Sequence, residues 1–356
     1  MAMSPANAKG PPRVLFFADC GAEAGGGHVM RCLSLAEALA ASGARCAMLS
    51  TPAVTRVLEV FADQRLERGP TPDAPLPELV DACVTFGRDW PADVMVIDHY
   101  GLDPGQELTL SRAVRAVVAM DDLADRRRHC QLLVDPTLGR EAIAYAGLTE
   151  PGTRVLTGPS HALLAPAYAA MRGSVLKGRR PEDPPKRVLV SLGLMDLKGI
   201  TGTVVDLIMP LLTGMDVDVV VGASAPSLPW LQALEAREPG VHLHVDSRGM
   251  ARLISLADIG IGAGGSSTWE RAALGLPSIS LVLADNQHGL ALKLEQRSAS
   301  LAIDARGDGL AENLPQTLGR LLADGALRRR LSDVSAGLCD GRGAHRVAQA
   351  VLALAA

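Results

Sequence analysis

The chain has 356 residues, 48% of them hydrophobic but only 3% aromatic, and a formal charge of −4. That length exceeds one ordinary core and suits two α/β domains of roughly 150 residues each, with interiors built from Ala, Leu and Val. The charge provides no broad basic field for nucleic acid, and no apolar run reaches the roughly 18 residues of a membrane span, so the expected partner is a small anionic molecule held by local devices such as helix N-termini.

Residues 1–12 lack the apolar centre of a signal peptide, which predicts a cytoplasmic protein. A strand is expected over 14–18, then a glycine-rich turn over 19–27 and an amphipathic helix from His28 to about residue 41, ended by Ser42-Gly43. Residues 45–50 read as the second strand, 54–64 and 77–86 as helices, and 94–98 as the clearest strand of this half. A helix near 104–112 and strands over 114–120 and 132–134 continue the rhythm, which is that of a doubly wound parallel sheet. Residues 173–186 concentrate Gly, Pro, Arg and Lys and are assigned as a linker between an N-terminal Rossmann-like domain, 1–172, and a C-terminal one, 187–342. In the second half, strands are expected over 187–191, 217–221, 241–245, 258–262 and 278–283. Its helices run from the loop 192–198 to about 212, then over 250–256, 266–274 and 287–296. Residues 310–356 read as terminal helices, the last of which, 343–356, is expected to pack back on the first domain. The six cysteines are scattered without a CxxC pair, which argues for reduced, mostly buried side chains and against a zinc knot or redox motif. No cofactor is called for, and the sequence leaves the oligomeric state open, a monomer being compatible with it.

Two loops carry the chemistry. The first runs from Gly21 through Gly25-Gly26-Gly27-His28-Val29-Met30-Arg31, between a strand and a helix, at the sheet edge where open α/β folds bind ligands. Its glycines allow close backbone approach, and the helix start offers unpaired N–H groups. It has neither the third glycine of a dinucleotide fingerprint nor the Gly-Lys-Ser/Thr of a P-loop. The positive end of the helix macrodipole favours the neutral imidazole that a general base requires, so His28 is the candidate base; the plainer reading is a helix cap. The second loop is Gly262-Ala263-Gly264-Gly265-Ser266-Ser267-Thr268-Trp269-Glu270, where the N–H groups of Gly265, Ser266 and Ser267 can receive a phosphate. Glu270 shares a helical face with Ser266 and is suited to accept hydrogen bonds from a ribose diol. The alternative makes Ser266 an N-cap and Glu270 an acid serving the helix dipole.

Asp98-His99-Tyr100 and Asp121-Asp122 end consecutive strands and are placed to line the cleft, although Asp after a strand also serves as a cap or turn residue. Ala284-Asp285-Asn286-Gln287 follows an apolar strand, as a sugar-facing patch or a capping turn. The loop Ser191-Leu192-Gly193-Leu194-Met195-Asp196 offers a second approach to a diphosphate, through Gly193.

Taken in order, Gly27-His28-Val29-Met30-Arg31-Cys32-Leu33, Asp98-His99-Tyr100-Gly101-Leu102-Asp103, Asp121-Asp122-Leu123-Ala124-Asp125-Arg126 and Gly264-Gly265-Ser266-Ser267-Thr268-Trp269-Glu270-Arg271 resemble the PseG family of nucleotide-sugar hydrolases. Leu276-Pro277 and the 284–287 patch extend the likeness, which spans roughly residues 13 to 300. The resemblance implies an α/β fold of the GT-B type, two Rossmann-like domains with a cleft between them, related to the glycosyltransferase MurG. It implies a UDP-sugar substrate, metal-independent attack of water at the anomeric carbon with inversion, and release of UDP from UDP-2,4-diacetamido-2,4,6-trideoxy-β-L-altropyranose in pseudaminic acid biosynthesis. It makes His28 the base, Glu270 the ribose ligand, and Asn286 and Gln287 sugar-facing residues. Tyr100 and Asp98 would orient the sugar or the base, and Gly26, Gly27, Arg31, Gly193, Gly264, Gly265, Ser266 and Ser267 would contact substrate. The sequence departs from the family at Leu194-Met195, bulkier than usual, and at residues 134–137, which lack a Gln-Asn pair. A sugar transferase of the same fold and a non-catalytic nucleotide-sugar binding protein are the rival readings.

Overall fold

Central strands of a parallel sheet are buried on both faces and so read as unbroken apolar runs, and that is how this chain is built. In the first half β1 (Arg13–Ala18), β2 (Arg45–Ser50), β3 (Glu67–Pro70), β4 (Val94–Asp98), β5 (Ala116–Met120), β6 (Leu132–Asp135) and β7 (Arg154–Thr157) form a seven-stranded sheet in the order β3-β2-β1-β4-β5-β6-β7. In the second, β8 (Arg187–Ser191), β9 (Asp216–Val221), β10 (Val241–Val245), β11 (Ile259–Ala263), β12 (Ser278–Val282) and β13 (Leu301–Asp304) form a six-stranded sheet in the order β10-β9-β8-β11-β12-β13. Every pairing is parallel. The computed structural model describes residues 10–21, 25–71 and 73–356. The segment 22–24 of the first glycine loop, and most of the N-terminal stretch read for a signal peptide, lie outside the described residues.

Each sheet reverses its strand order once, between β1 and β4 and between β8 and β11. Adjacent connections leave such a point in opposite directions and open a crevice at the carboxyl ends of the two strands. Of the six loops singled out by their polar and glycine content, those after β1, β4, β8 and β11 are the loops of these two crevices, and those after β5 and β12 follow the next strand of each sheet.

Helices cover both faces of the first sheet. Val29, Cys32, Leu35 and Leu39, at helical spacing on Gly27–Ala41, pack on Val14 and Phe16 of β1, while Leu15 and Phe17 face Val80, Cys83, Met95 and Ile97 on the other side. The cores are aliphatic, as the low aromatic content predicts. All six cysteines are free, and all but half-buried Cys20 are buried. Burial pushes the thiols of Cys46 and Cys130 up to about 12.

The helix Pro166–Gly178 leads out of the first sheet, and residues 179–186 connect it to β8. Arg179 donates to the carbonyls of Ile254, Ala257 and Leu274, tying this passage to helix ends of the second half. The last helix, Gly343–Ala355, returns to the first sheet, where Ala344, Val347, Ala348 and Val351 join the core around Leu35 and Leu39. Burying each valine there contributes about 1.5–3 kcal/mol.

Three strands, β3, β7 and β13, lie outside the sequence expectation. All three are short edge strands, Glu-Arg-Gly-Pro, Arg-Val-Leu-Thr and Leu-Ala-Ile-Asp, and each buries a single residue, so no apolar period marks them. The helix expected over 54–64 spans Pro52–Phe61, because Thr51 caps it by accepting from Val54 N at 3.3 Å and Pro52 occupies the first turn. The helix expected to reach 212 stops at Ile208 and tightens into a 3₁₀ turn over Met209–Leu211, where Pro210 has no N–H to continue the ladder. Among the described residues no helix is long and apolar enough to cross a membrane.

Candidate functional site

The floor of the first crevice is a buried charged cluster. His28 sits in the first turn of Gly27–Ala41, after Gly26, and the helix has no side-chain cap. Its ring turns instead to the end of β4, where Nδ1 lies 2.7 Å from Asp98 Oδ1. The plain capping role is therefore not the one His28 takes. Asp98 is 1% exposed, and Arg31, one helical turn after His28, grips it with two hydrogen bonds of 2.5 Å, from Nε to Oδ2 and from a terminal nitrogen to Oδ1. Burial alone would raise the Asp98 pKa, but the Arg31 charge, then His28 and the hydrogen bonds from both, outweigh it and hold the carboxyl well below the usual carboxylate range. Burial likewise opposes the charge on Arg31, and Asp98 and Asp122 overcome it and raise its pKa.

An ionised Asp98 can only accept, so the 2.7 Å contact is made by a proton on Nδ1, which leaves no lone pair there for the Arg31 nitrogen 3.0 Å away, and in the neutral ring Nε2 then holds the lone pair. No hydrogen bond among the described residues engages Nε2. This is the tautomer a general base needs, set by a carboxylate behind the ring.

Tyr100, two residues beyond β4, packs edge-on against His28 with ring centroids 4.5 Å apart. Its hydroxyl lies 2.8 and 3.0 Å from the two oxygens of Asp122, which also accepts from Arg31 at 3.2 Å. Burial and then the Asp122 carboxylate raise the Tyr100 pKa far above its ordinary value. In the sequence Asp122 stands out only as half of an Asp-Asp pair. Its neighbour Asp121 turns away, accepting from the backbone of Leu123 and lying 3.8 Å from buried Arg128. Asp135, fully buried at the end of β6, carries no sequence signal of its own; it accepts from Arg140 at 2.7 Å and Tyr145 at 2.9 Å, while Arg140 donates onward to the carbonyl of Asp122.

The second crevice faces this floor. A Cβ placed on Gly27 would come 3.5 Å from Ser266 Oγ, and one on Gly26 would come 3.4 Å from Leu194 Cδ1. The two glycine loops thus approach each other across the cleft, and the bulky Leu194 lies against the first of them. Ser266 stands at the cap position of Ser267–Ala273 but its side chain makes no capping bond, and it is exposed. Ser267 accepts from Arg271, which is buried and also donates to Ala263 O and Thr268. Gly193, with φ of +110°, opens the loop after β8 with nothing within 4 Å of a would-be Cβ. That conformation favours glycine. Gly264 is packed on Gln287, with 3.4 Å between a would-be Cβ and Gln287 Cβ, and Gly265 lies near the Gln287 amide.

Glu270 lies in the first turn of its helix, with its carboxyl beside the Tyr168 hydroxyl of the Pro166–Gly178 helix. Burial pushes its pKa up to about 7, against the lowering influence of Tyr168 and Arg271. Gln287 spends its amide oxygen on Leu283 N at 2.9 Å, the capping turn that is one of its two readings. Asn286 reaches across the cleft and donates to the Tyr100 hydroxyl at 3.2 Å.

No family model matches the chain. Among curated proteins it is 26% identical over 202 residues to the spore coat polysaccharide biosynthesis protein SpsG of Bacillus subtilis, covering 55% of this chain and 57% of that one. It is 40% identical over 112 residues to the UDP-N-acetylglucosamine–N-acetylmuramyl-(pentapeptide) pyrophosphoryl-undecaprenol N-acetylglucosamine transferase of Sorangium cellulosum, covering 30% and 27%. It is 20% identical to the UDP-2,4-diacetamido-2,4,6-trideoxy-beta-L-altropyranose hydrolase of Campylobacter jejuni, covering 68% and 81%. The chain therefore matches about half the length of the first of these relatives and about a quarter of the second. Among solved structures it resembles MurG of Acinetobacter baumannii, with a TM-score of 0.63 at 17% identity over 96% of this chain and all of that one. It resembles UDP-GlcNAc 2-epimerase of Neisseria meningitidis equally, with a TM-score of 0.63 at 13% identity over the same shares. The shape these proteins share with the two crossed-over sheets described above is the GT-B architecture, two Rossmann-like domains about a cleft.

Proposed function

We propose that this chain is an enzyme that hydrolyses a UDP-sugar, of the kind the PseG family represents. The observation that carries the reading is the buried His28–Asp98 pair, with Nδ1 protonated and Nε2 available, directly across from the exposed Ser266 loop. In this reading the nucleotide lies on the second domain. Glu270 takes the ribose once it leaves Tyr168, and the diphosphate sits at the loops carrying Gly193 and Gly264-Gly265-Ser266-Ser267. The sugar projects toward the first domain, where His28 Nε2 accepts a proton from water as the oxygen attacks the anomeric carbon. The C–O bond to the diphosphate breaks and UDP departs with the bonding pair, stabilised by preorganised N–H groups. Asp98 and Arg31 hold the base, and Asn286 and Gln287 meet the sugar.

The similarity to the Campylobacter jejuni hydrolase supports a 2,4-diacetamido-2,4,6-trideoxyhexose as the product, and with it a cytoplasmic place in pseudaminic acid synthesis for flagellin or surface glycosylation. Leu194 against Gly26 narrows the cleft where the phosphates or an acetamido group would lie, which makes it the side chain to vary when substrates are compared. The stretch 40% identical to a sugar transferase favours a second reading, transfer to an acceptor hydroxyl, with the same base and the same leaving group. Incubation with UDP-2,4-diacetamido sugars in chelator and ¹⁸O-labelled water separates them. Release of UDP with label at the sugar's anomeric carbon, without an acceptor, is the expected result. UDP binding without release in the absence of an acceptor would reject hydrolysis.

A further inference from the structure

Among the described residues, the bond from Asn286 to Tyr100 is the one hydrogen bond that joins residues 10–165 to residues 187–341. It does not end at Tyr100. The direction of each proton can be assigned from the groups themselves, because a carboxylate only accepts, a guanidinium only donates, and a phenol has one proton to give. Tyr100 stands within 3.0 Å of both oxygens of Asp122, so its proton goes there, and its oxygen is left to accept from Asn286 Nδ2. Asp122 also accepts from Arg31, Arg31 donates to Asp98, and Asp98 accepts from His28 Nδ1. The chain of bonds links the second domain to the imidazole without a break, and the Tyr100 ring touches that imidazole directly.

We infer that Asp122 is a positioning residue that couples closure of the second domain to the His28 centre, by taking the Tyr100 proton and so presenting the phenol oxygen to a donor on Asn286. The inference rests on the reading of His28 as the base. It assigns Asp122 no contact with substrate and makes Tyr100 an unsuitable acid or base in this state, since its proton is already committed. Removing the negative charge at 122 frees Tyr100 to rotate, loosens the edge-on contact with His28 and leaves Arg31 with Asp98 alone.

The test is a reversal of the hydrogen-bond direction. Asp122→Asn removes the charge and leaves one amide oxygen for which Tyr100 and Arg31 compete, with an amide donor in place of the other, and Asn286→Asp puts an acceptor where Tyr100 needs a donor. Each alone should lower kcat by roughly tenfold, less than loss of the base itself would, with UDP affinity unchanged. Together they allow the bonds to run the other way, from the amide introduced at 122 to Tyr100 and on to the carboxylate introduced at 286, and should recover most of the loss. Additive losses in the double variant, or single variants with wild-type kcat, would overturn the inference. Tyr100→Phe keeps the ring and removes the oxygen. In that background the losses from the two substitutions should simply add, since no phenol oxygen joins the two positions, and a recovery that persists in the double variant would also overturn it. UDP-induced compaction, followed by X-ray scattering, should show the same non-additivity. It can be read even if the protein hydrolyses no UDP-sugar, in which case the proposed reaction fails and the coupling is still judged.

Discussion

The two crevices are built on the same topology and filled with opposite chemistry. At the end of β4 the first holds a buried Asp–Arg–His cluster, with Asp98, Arg31 and His28 all under 9% exposed. After β11 the second holds glycines, exposed Ser266 and unpaired N–H groups, and its buried arginine, Arg271, is turned inward onto a carbonyl and two hydroxyls. A doubly wound sheet supplies only the location. Whether that location becomes a charged, rigid centre or an amide-lined cradle is decided by which residues end the strands. Charges are tolerated in the first crevice because each is opposed within 3.2 Å, and cradling is possible in the second because little side chain stands in the way.

That contrast can be broken deliberately. In the proposed reaction His28 serves the chemistry and the nucleotide is held opposite, so His28→Asn should lower kcat by about 10²–10⁴-fold while UDP affinity, measured by calorimetry, stays within roughly twofold. An equal loss of affinity would erase the division of labour. Asp98→Asn should cost about 3–5 kcal/mol of stability in urea melts, since it leaves the buried Arg31 charge with only the half-buried Asp122 opposite. The pH dependence is a second check on the same residue. Asp98 has a folded pKa depressed below the unfolded value of about 3.9, so its stabilisation is complete above that value and is lost as pH falls toward the folded value. The variant should accordingly show a shallower loss of stability below about pH 4.

Glu270 sharpens the comparison from the other side, as a half-buried carboxyl of the second crevice without a full counter-charge. Its folded pKa, about 7, is raised above the unfolded value, so the folded state binds the extra proton, and the Glu270 contribution to stability is complete below the unfolded value and is lost as pH rises through 7. Glu270→Gln should flatten that decline between about pH 5 and 8, an effect of the order of 2–3 kcal/mol in melts across that range. An unchanged slope would mean that the carboxyl is better solvated than its place beside Tyr168 implies. The smallest effect is expected far from either crevice. Val351→Ala removes two methyl groups from the core shared by the last helix and Gly27–Ala41, and should cost about 2 kcal/mol without altering UDP affinity.

Much of this architecture is legible in the sequence. The strands that matter, β1, β4, β8 and β11, are apolar runs closed by serine, glycine or aspartate, and such runs have few other structural uses. Asp98 and Tyr100 stand out because they close β4 or follow it directly, His28 because it opens the helix after a glycine run, and Asn286 because a polar patch follows the apolar strand β12. Asp122 is marked only as half of an Asp-Asp pair placed to line the cleft, and Asp135 not at all, because an aspartate after a strand has the same local signature whether it takes a turn amide, as Asp121 does, or an arginine brought from another segment. The roles of Arg31 and Tyr168 are equally hidden. Arg31 appears in sequence as a basic residue beside a phosphate-sized loop, and only the packing of Gly27–Ala41 on β4 shows that its guanidinium is consumed by carboxylates.

The returning final helix also constrains how the halves can move. Chain passes between them twice, once through 179–186 and once before Gly343, so the lobes are leashed at two places. Two tethers permit a swing about the line joining them and resist twisting or sliding apart. A first lobe cut away at the outgoing passage would lose the helix that covers Leu35 and Leu39, and would present a greasy stripe to water where the whole molecule has a sealed seam.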